Sequence, residues 1–215
     1  MPVYDFSKRG WWSGRTAIKN RPLDDALIAI CEADPPRSYL EIGSREGGSL
    51  TAVLRHARPH PELIVCCDTW GNTRGGTGRG SHRHIDRVMD KEGYEGQRHF
   101  LDGPSQKLIP MLLLRDFSLV LIDGDHRAEP ARKDVANAWP LVAPDGLMVI
   151  DDTNTERIRV LMDALVEGGG AEFIWRGNYG PGCGVVRKLA AGVEEPDEAI
   201  GDTFEDCEEE QTVEI

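Results

Sequence analysis

The sequence predicts an α/β domain with a doubly wound sheet that is mostly parallel and ends in an antiparallel edge hairpin. Predicted strands alternate with predicted helices along most of the chain. The strands are continuously apolar, which is typical of a sheet that helices cover on both faces. The last two strands, "AEFIWRG" and "GCGVVRKL", are separated by a turn too short to hold a helix, so we expect them to pair antiparallel.

The elements follow from apolar periodicity and from glycine and proline positions. Gly47 and Gly48 open the second helix, and Pro110 interrupts a short one. Pro130 lies in the first turn of another helix, where proline is tolerated. The predicted helices cover 23–34, 49–58, 104–114, 129–142 and 155–168, and the predicted strands cover 38–43, 62–68, 97–103, 117–123, 146–152, 171–177 and 182–189.

We divide the chain into an arm (1–22), one domain (23–189) and an acidic tail (190–215). The arm is polar and basic and carries Trp11 and Trp12, which either cap a substrate pocket or pack on a second subunit of a homo-oligomer. The tail holds eleven Asp or Glu residues and no Lys or Arg, so it is expected to be disordered. The rest of the chain is close to neutral, which argues against nucleic acid as a partner.

Cysteine usage and hydropathy predict a cytoplasmic protein. The five cysteines form no CxxC pair, and two of them lie in an apolar run, so we expect reduced thiols. The sequence shows no secretory h-region and no long apolar span, so we expect no association with a membrane.

Acidic residues stand at the ends of the predicted parallel strands. Ligands of open parallel sheets bind beyond the carboxyl ends of the strands, and a buried acid is costly unless it is paired or liganded. We therefore expect a binding site at this edge of the sheet. The acids concerned are Glu41, Asp68, Asp102, Asp123, Asp151 and Asp152.

The turn "EIGSREGGS" after the first strand differs from the GxGxxG of dinucleotide-binding proteins. Its glycines stand at Gly43, Gly47 and Gly48, which suits a ligand without a pyrophosphate, although a purely structural turn has the same appearance. Asp68 ends the second strand, where doubly wound folds place an acid on ribose hydroxyls. The alternative for Asp68 is an exposed carboxylate without a ligand.

Asp123, Asp151 and Asp152 end neighbouring predicted strands and are expected to converge. Unpaired carboxylates this close repel one another, and a hard divalent cation such as magnesium, manganese or calcium resolves the conflict. The alternative is that some of them cap helices or pair with arginines, for which the candidates are Arg127, Arg132 and Arg157.

Four stretches together resemble the class I S-adenosylmethionine-dependent methyltransferases: "EIGSREGGS", "CCDTW", "LVLIDGDHRAEPARKDV" and "MVIDDTN". Within that class they resemble the magnesium-dependent O-methyltransferases, and above all the macrocin- and mycinamicin-type sugar O-methyltransferases and the cephalosporin-hydroxylase-like proteins. The resemblance covers about residues 38–189. It implies a Rossmann-like fold, S-adenosylmethionine and a divalent metal as cofactors, and a small-molecule acceptor with a hydroxyl group (sugar, catechol or polyketide).

The resemblance also implies roles for individual residues. Asp123, Asp151 and Asp152 match the metal-binding positions, and His126 matches the catalytic base. Asp68 matches the ribose contact, and Asp102 matches the adenine contact. The full set of cofactor-binding residues implied is Glu41, Gly43, Ser44, Gly47, Ser49, Asp68, Thr69, Trp70, Asp102, Gly103, Ser105 and Asp123.

The resulting hypothesis is a metal-assisted transfer of a methyl group to a hydroxyl. The metal lowers the pKa of the hydroxyl, and His126, kept neutral by the nearby cation, removes the proton. Asp125 either orients the imidazole or contacts the substrate. The alternatives are a nicotinamide-dependent oxidoreductase on the same fold and a non-catalytic nucleoside- or metal-binding protein.

The segment 69–84 is rich in glycine and is expected to be a mobile loop. His82 and His84 are expected to be solvated there rather than to bind a metal. Loop closure over the acceptor is a further hypothesis.

Overall fold

A computed structural model describes residues 2–7, 21–71 and 80–190. Trp11, Trp12, Cys207 and the acidic tail after residue 190 lie outside these ranges, so the predictions about them stay predictions. Within the described ranges, no helix combines the length and the apolar character needed to cross a bilayer.

Six helices and seven strands make up the described fold. The helices are α1 (Pro22–Ala33), α2 (Gly48–His56), α3 (His82–Lys91), α4 (Ser105–Leu108), α5 (Ala128–Ala138) and α6 (Glu156–Glu167). The strands are β1 (Ser38–Ile42), β2 (Leu63–Asp68), β3 (Gln97–Asp102), β4 (Phe117–Ile122), β5 (Val142–Asp151), β6 (Ala171–Gly177) and β7 (Cys183–Lys188). Short 3₁₀ turns follow α4 and α5.

The strands form one sheet in the order β3-β2-β1-β4-β5-β7-β6. The first five strands of this order are parallel, whereas β7 runs antiparallel to both β5 and β6. The predicted fold class and the predicted antiparallel pairing of the last two strands are therefore confirmed. The carboxyl ends of β1, β2 and β4 lie side by side, where the order of the strands reverses.

Helices cover both faces of the sheet, as the continuously apolar strands predict. On one face, α1, α2 and α3 pack on alternate strand residues such as Tyr39 and Leu121. On the other face, α5 and α6 pack on the intervening residues such as Leu40 and Val120. All four of these strand residues are fully buried, and each of the leucine and valine side chains contributes about 1.5–3 kcal/mol through its removal from water.

The helix α3 was not predicted, and its first residues lie in the segment 69–84 that was expected to be a loop; residues 72–79 of that segment lie outside the described ranges. Ser81 caps it by accepting a hydrogen bond from the backbone N–H of His84 at 3.2 Å. Ile85 and Met89, one turn apart, are fully buried on the core. A serine followed by this apolar spacing is a helix-start signal, which the surrounding glycines obscured.

The described part of the arm lies against the domain. Phe6 stacks on Trp175 of β6 with ring centroids 4.7 Å apart, and the guanidinium of Arg187 lies 6.0 Å from the ring of Tyr4. Cys31, Cys66, Cys67 and Cys183 are buried free thiols, as expected from the lack of a CxxC pair and from the apolar run around Cys66 and Cys67.

Candidate active site

The turns after β1 and β4 touch through their backbones at the carboxyl edge of the sheet. Gly43 has φ +97°, and a Cβ on it would lie 1.9 Å from the carbonyl oxygen of Asp123. The backbone N–H of Asp123 also donates to the carbonyl oxygen of Ile42 at 2.9 Å. Only glycine satisfies both the conformation and the close approach.

The glycine loop between β1 and α2 contains buried polar groups. Glu41 is fully buried within β1 and accepts a hydrogen bond from the hydroxyl of Ser49. Burial raises the pKa of Glu41 to about 7, against the opposing effect of the Ser49 hydrogen bond. Gly47, with φ +77°, precedes α2, and the side chain of Ser44 is buried. The loop thus gathers Glu41, Ser44 and Ser49 around the start of α2.

Asp68 connects the end of β2 to the glycine loop. Its Oδ2 accepts a hydrogen bond from the backbone N–H of Arg45 at 2.8 Å, and its Oδ1 accepts from the N–H of Trp70 at 2.9 Å. Each carboxylate oxygen has a second lone pair for a ligand. Asp68 is partly exposed, so its carboxylate faces both the loop and the solvent side of the edge.

The predicted cofactor residues after β2 and β3 lie beside one another. The N–H of Gly103 donates to the carbonyl oxygen of Asp68 at 2.9 Å. The indole of Trp70 makes edge contacts with His82 and Phe100 at centroid distances of 6.2 and 6.3 Å. Asp102 is exposed, with Oδ2 3.7 Å from Nδ1 of His82. Thr69 is partly buried next to Asp68.

Asp134 on α5 is a buried acid that the sequence did not single out. Its Oδ1 accepts hydrogen bonds from the hydroxyl of Ser105 at 2.6 Å and from Nε2 of Gln106 at 2.8 Å. Burial raises the pKa of Asp134 to about 6 despite these hydrogen bonds. The other carboxylate oxygen of Asp134, Oδ2, lies 2.9 Å from the position that a Cβ on Gly124 would take. Asp134 therefore joins the turns after β3 and β4.

Arg21 is the second residue that sequence reasoning missed. Its Nη2 lies 2.8 Å from Oδ2 of Asp151 and 3.5 Å from Oδ2 of Asp123, so it bridges the tips of β4 and β5. Burial raises the pKa of both carboxyl groups. The charge of Asp151 raises the pKa of Asp123 further, the charge of Asp152 raises that of Asp151, and Arg21 opposes both shifts. Arg21 stands more than a hundred positions from either acid, so no local motif indicates the contact.

His126 lies at the same edge and is oriented by a carboxylate. Its Nδ1 is 2.7 Å from Oδ2 of Asp152, and its Nε2 is 4.0 Å from Oδ1 of Asp123. The hydrogen bond to Asp152 raises the pKa of His126, against the opposing effect of burial. Asp125 instead pairs with Arg127, whose Nε donates a hydrogen bond to Oδ1 of Asp125 at 3.0 Å. Asp125 therefore does not orient the imidazole.

The three predicted metal ligands approach one another, but their arrangement does not fit a divalent ion. Nη2 of Arg21 lies 3.5 Å from Oδ2 of Asp123 and 2.8 Å from Oδ2 of Asp151. Nδ1 of His126 lies 2.7 Å from Oδ2 of Asp152. Across the described ranges, no group of three or more His, Cys, Asp or Glu side chains has a geometry that would hold a metal. Repulsion between the carboxylates is relieved here by a guanidinium and an imidazole, so the reason for expecting a metal no longer holds.

Several buried polar atoms at this edge have no hydrogen-bond partner among the described residues. They belong to side chains at the carboxyl-end tips of β1, β2 and β5 and on α5: Ser44 Oγ, Trp70 Nε1, Asp151 Oδ1, Thr153 Oγ1 and Asp134 Oδ2. Buried polar groups are rarely left unsatisfied, so their concentration at one edge indicates a site for a polar ligand.

The chain belongs to the methyltransferase domain family, which matches residues 40–153. These residues include the end of β1, all of β2 to β5 and most of the candidate site. Together with the sheet order, the match makes the protein a class I S-adenosylmethionine-dependent methyltransferase. No curated protein matches the sequence.

Solved structures with the same fold are methyltransferases of low sequence identity. An S-adenosylhomocysteine-bound methyltransferase from Podospora anserina is 15% identical, with a TM-score of 0.60 over 80% of each chain. The O-methyltransferase TomG from Streptomyces achromogenes, in complex with S-adenosylmethionine, is 17% identical, with a TM-score of 0.61 over 80% of this chain and 81% of its own. A methyltransferase from Geobacter sulfurreducens is 14% identical, with a TM-score of 0.60 over 80% of this chain and 81% of its own.

Proposed function

We propose that the protein transfers the methyl group of S-adenosylmethionine to a hydroxyl oxygen of a small molecule, with His126 as the general base. The observation that carries this proposal is the 2.7 Å contact between Nδ1 of His126 and Asp152. A proton on Nδ1 leaves the Nε2 lone pair to accept a proton. The imidazole side chain is 40% exposed, so an acceptor can reach it.

The cofactor is proposed to lie across the tips of β1, β2 and β4. The loop residues Gly43, Ser44 and Gly47 would surround the methionine part, with Glu41 and Ser49 beneath them. Asp68 would accept hydrogen bonds from the ribose hydroxyls through the lone pairs that Arg45 and Trp70 leave. The remaining contacts, to adenine and its surroundings, are proposed for Thr69, Trp70, Asp102, Gly103, Ser105 and Asp123.

The unsatisfied side-chain atoms support this placement. Ser44 Oγ and Trp70 Nε1 lack partners in the described protein and lie at the tips of β1 and β2. Asp134 holds the hydroxyl of Ser105 in place, so the turn that would face adenine is fixed before the cofactor binds. A site ordered in advance lowers the cost of binding.

The reaction is an in-line displacement at the methyl carbon. The acceptor oxygen forms the new C–O bond while the C–S bond breaks, and the positively charged sulfonium becomes the neutral sulfide of S-adenosylhomocysteine. The hydroxyl proton passes to Nε2 of His126, and Asp152 stabilises the imidazolium that forms. General-base help of this kind contributes about 10²–10⁴-fold, and positioning contributes further. No step passes through a metal ion.

A methyl-transfer assay tests the proposal. The full chain is incubated with S-adenosylmethionine labelled at the methyl group and with a panel of glycosylated, catechol and polyketide hydroxyl compounds. We expect label in an ether product of at least one acceptor, and His126→Ala should lose about 10²–10⁴-fold in turnover. His99→Ala, on an exposed residue of β3, is the matched control. Transfer to nitrogen or carbon alone, or full turnover by His126→Ala, would contradict the proposal.

A further inference from the structure

The positive charge beside the acids at the tips of β4 and β5 comes from the guanidinium of Arg21. Nη2 of Arg21 lies 2.8 Å from Asp151 and 3.5 Å from Asp123. The side chain of Asp151 is only 2% exposed and that of Asp123 13%. Two poorly solvated carboxylates this close need a positive charge, and a guanidinium supplies it without coordination bonds.

The backbone around Arg21 fixes where its side chain begins. Arg21 is the N-cap residue of α1 in an extended conformation, and Pro22 follows it directly. The residue before a proline is restricted to such a conformation. Its carbonyl oxygen accepts hydrogen bonds from the N–H groups of Asp24 and Asp25, and Leu23 is fully buried in the core.

A second contact ties the start of α1 to the sheet. The hydroxyl of Tyr179, in the turn between β6 and β7, donates a hydrogen bond to Oδ2 of Asp25. Asp25 is itself buried, at 1% exposure. The start of α1, directly after Arg21, is therefore held against the turn between β6 and β7, and β7 pairs with β5, which ends at Asp151.

A divalent ion would have to displace this arrangement. Magnesium requires several oxygen ligands at about 2.0–2.1 Å in near-octahedral geometry. Oδ2 of Asp151 and Oδ2 of Asp123 both face Arg21, and Oδ2 of Asp152 faces His126. One oxygen of each of the three acids is thus in contact with a side chain of the same chain, whereas Oδ1 of Asp151 has no partner among the described residues.

We propose that Arg21 is the resident cation of this site, so that the protein holds no divalent ion there and the methyl transfer proposed above needs none. The side chain of Arg21 is 24% exposed, so its charge extends to the solvent side where the acceptor would bind. Arg21 positions Asp123 and Asp151 and stabilises negative charge on the acceptor oxygen, and His126 takes the proton. The role of Arg21 in catalysis rests on the proposed function, but its occupation of the cation position does not.

Titration with Mn²⁺, followed by electron paramagnetic resonance of the free ion, tests this proposal. The full-length wild type is compared with Asp151→Asn, Arg21→Gln and the double variant Arg21→Gln/Asp151→Asn. Arg37→Gln is the matched control, because Arg37 is 82% exposed and pairs with Glu62 away from the site. The acidic tail contributes the same weak background to every variant, so differences between variants report on the site.

We expect wild type, Asp151→Asn and Arg37→Gln to bind Mn²⁺ equally weakly. Arg21→Gln should bind it at least about tenfold more tightly, and the double variant should lose that gain. Wild-type binding that Asp151→Asn abolishes would overturn the proposal, as would a folded Arg21→Gln variant with no gain. The comparison of wild type with Asp151→Asn remains decisive if Arg21→Gln does not fold.

Calorimetry with S-adenosylhomocysteine on the same samples separates this inference from the proposed function. A wild type that fails to bind S-adenosylhomocysteine would overturn the proposed function, whereas the Mn²⁺ titrations would still decide whether Arg21 is the cation. A wild type that binds both S-adenosylhomocysteine and Mn²⁺ through Asp151 would overturn only the inference.

Discussion

Nδ1 of His126 lies 2.7 Å from Oδ2 of Asp152, which joins the turn after β4 to the residue directly after β5. Asp152 has φ +60°, a conformation that is uncommon outside glycine. An aspartate held in this conformation directs its carboxylate at the imidazole, and strained residues of this kind cluster at functional sites.

Replacing Asp152 should lower the pKa of His126. Asp152→Asn removes the charge that favours the imidazolium, while asparagine tolerates the positive φ. The imidazole then loses its proton at a lower pH, so the acidic limb of the rate profile moves to lower pH. NMR titration of the imidazole measures the shift without an acceptor, with Asp163→Asn on α6 as the control. An unchanged His126 pKa in Asp152→Asn would refute the pairing.

Glu41 should make the protein less stable as the pH rises. Its pKa is about 7 in the folded protein because of burial, above the value of about 4.3 of an unfolded chain. The folded state therefore binds the proton more tightly, so this stabilisation is complete below pH ~4 and is lost as the pH rises through ~7. In wild type, Glu41 should make the free energy of unfolding on the order of 3 kcal/mol lower at pH 8 than at pH 4, and Glu41→Gln should remove this difference.

Chemical denaturation at several pH values tests the Glu41 prediction. Glu62→Gln is a suitable control because the side chain of Glu62 is 74% exposed. The slope of the unfolding free energy against pH should flatten in Glu41→Gln and stay as in wild type in Glu62→Gln. Equal slopes in all three proteins would mean that Glu41 is not a strained buried acid.

Gly43 should not tolerate a side chain. Gly43→Ala places a Cβ 1.9 Å from the carbonyl oxygen of Asp123 at a φ of +97°, which should lower the free energy of unfolding by at least ~2 kcal/mol. Gly48→Ala is the control, since a Cβ there meets nothing within 4 Å and should change stability by less than ~1 kcal/mol. Equal thermal unfolding of the two variants would show that the strand tips are not in contact as described.

Asp68 should contribute to cofactor affinity. Asp68→Ala removes the proposed ribose contact and two hydrogen bonds that hold the backbone of Arg45 and Trp70. Affinity for S-adenosylhomocysteine should fall at least about tenfold. Asp34→Ala, on an exposed residue at the opposite end of α1 from Arg21, should bind as wild type. Unchanged affinity in Asp68→Ala would remove Asp68 from the cofactor site.

The fold was predictable because its signals are local. Apolar runs ending at Asp68 and Asp123 place strands and their carboxyl ends within one or two residues of the observed bounds. The carboxyl-end rule then brings these ends to one edge of the sheet. The helix α3 as a whole was missed because glycines dominate the segment before it.

The partners within the site were not predictable, because they are set by tertiary packing. Arg21 reaches Asp151 across 130 positions, and nothing near either residue indicates the contact. Asp125 was a candidate partner of His126 because it is adjacent in sequence, but neighbouring residues in a turn point in different directions. Asp125 therefore binds Arg127, and His126 reaches Asp152. The metal expectation, which is not confirmed, counted the acids without the arginine that lies beside two of them.

Calorimetric titration of the full-length protein with S-adenosylhomocysteine and with NAD tests the central claim most directly. The account predicts saturable binding of one S-adenosylhomocysteine per chain and no binding of NAD. Binding of NAD in preference to S-adenosylhomocysteine, or binding of neither, would contradict the assignment of the carboxyl edge of β1, β2 and β4 as a methyl-donor site.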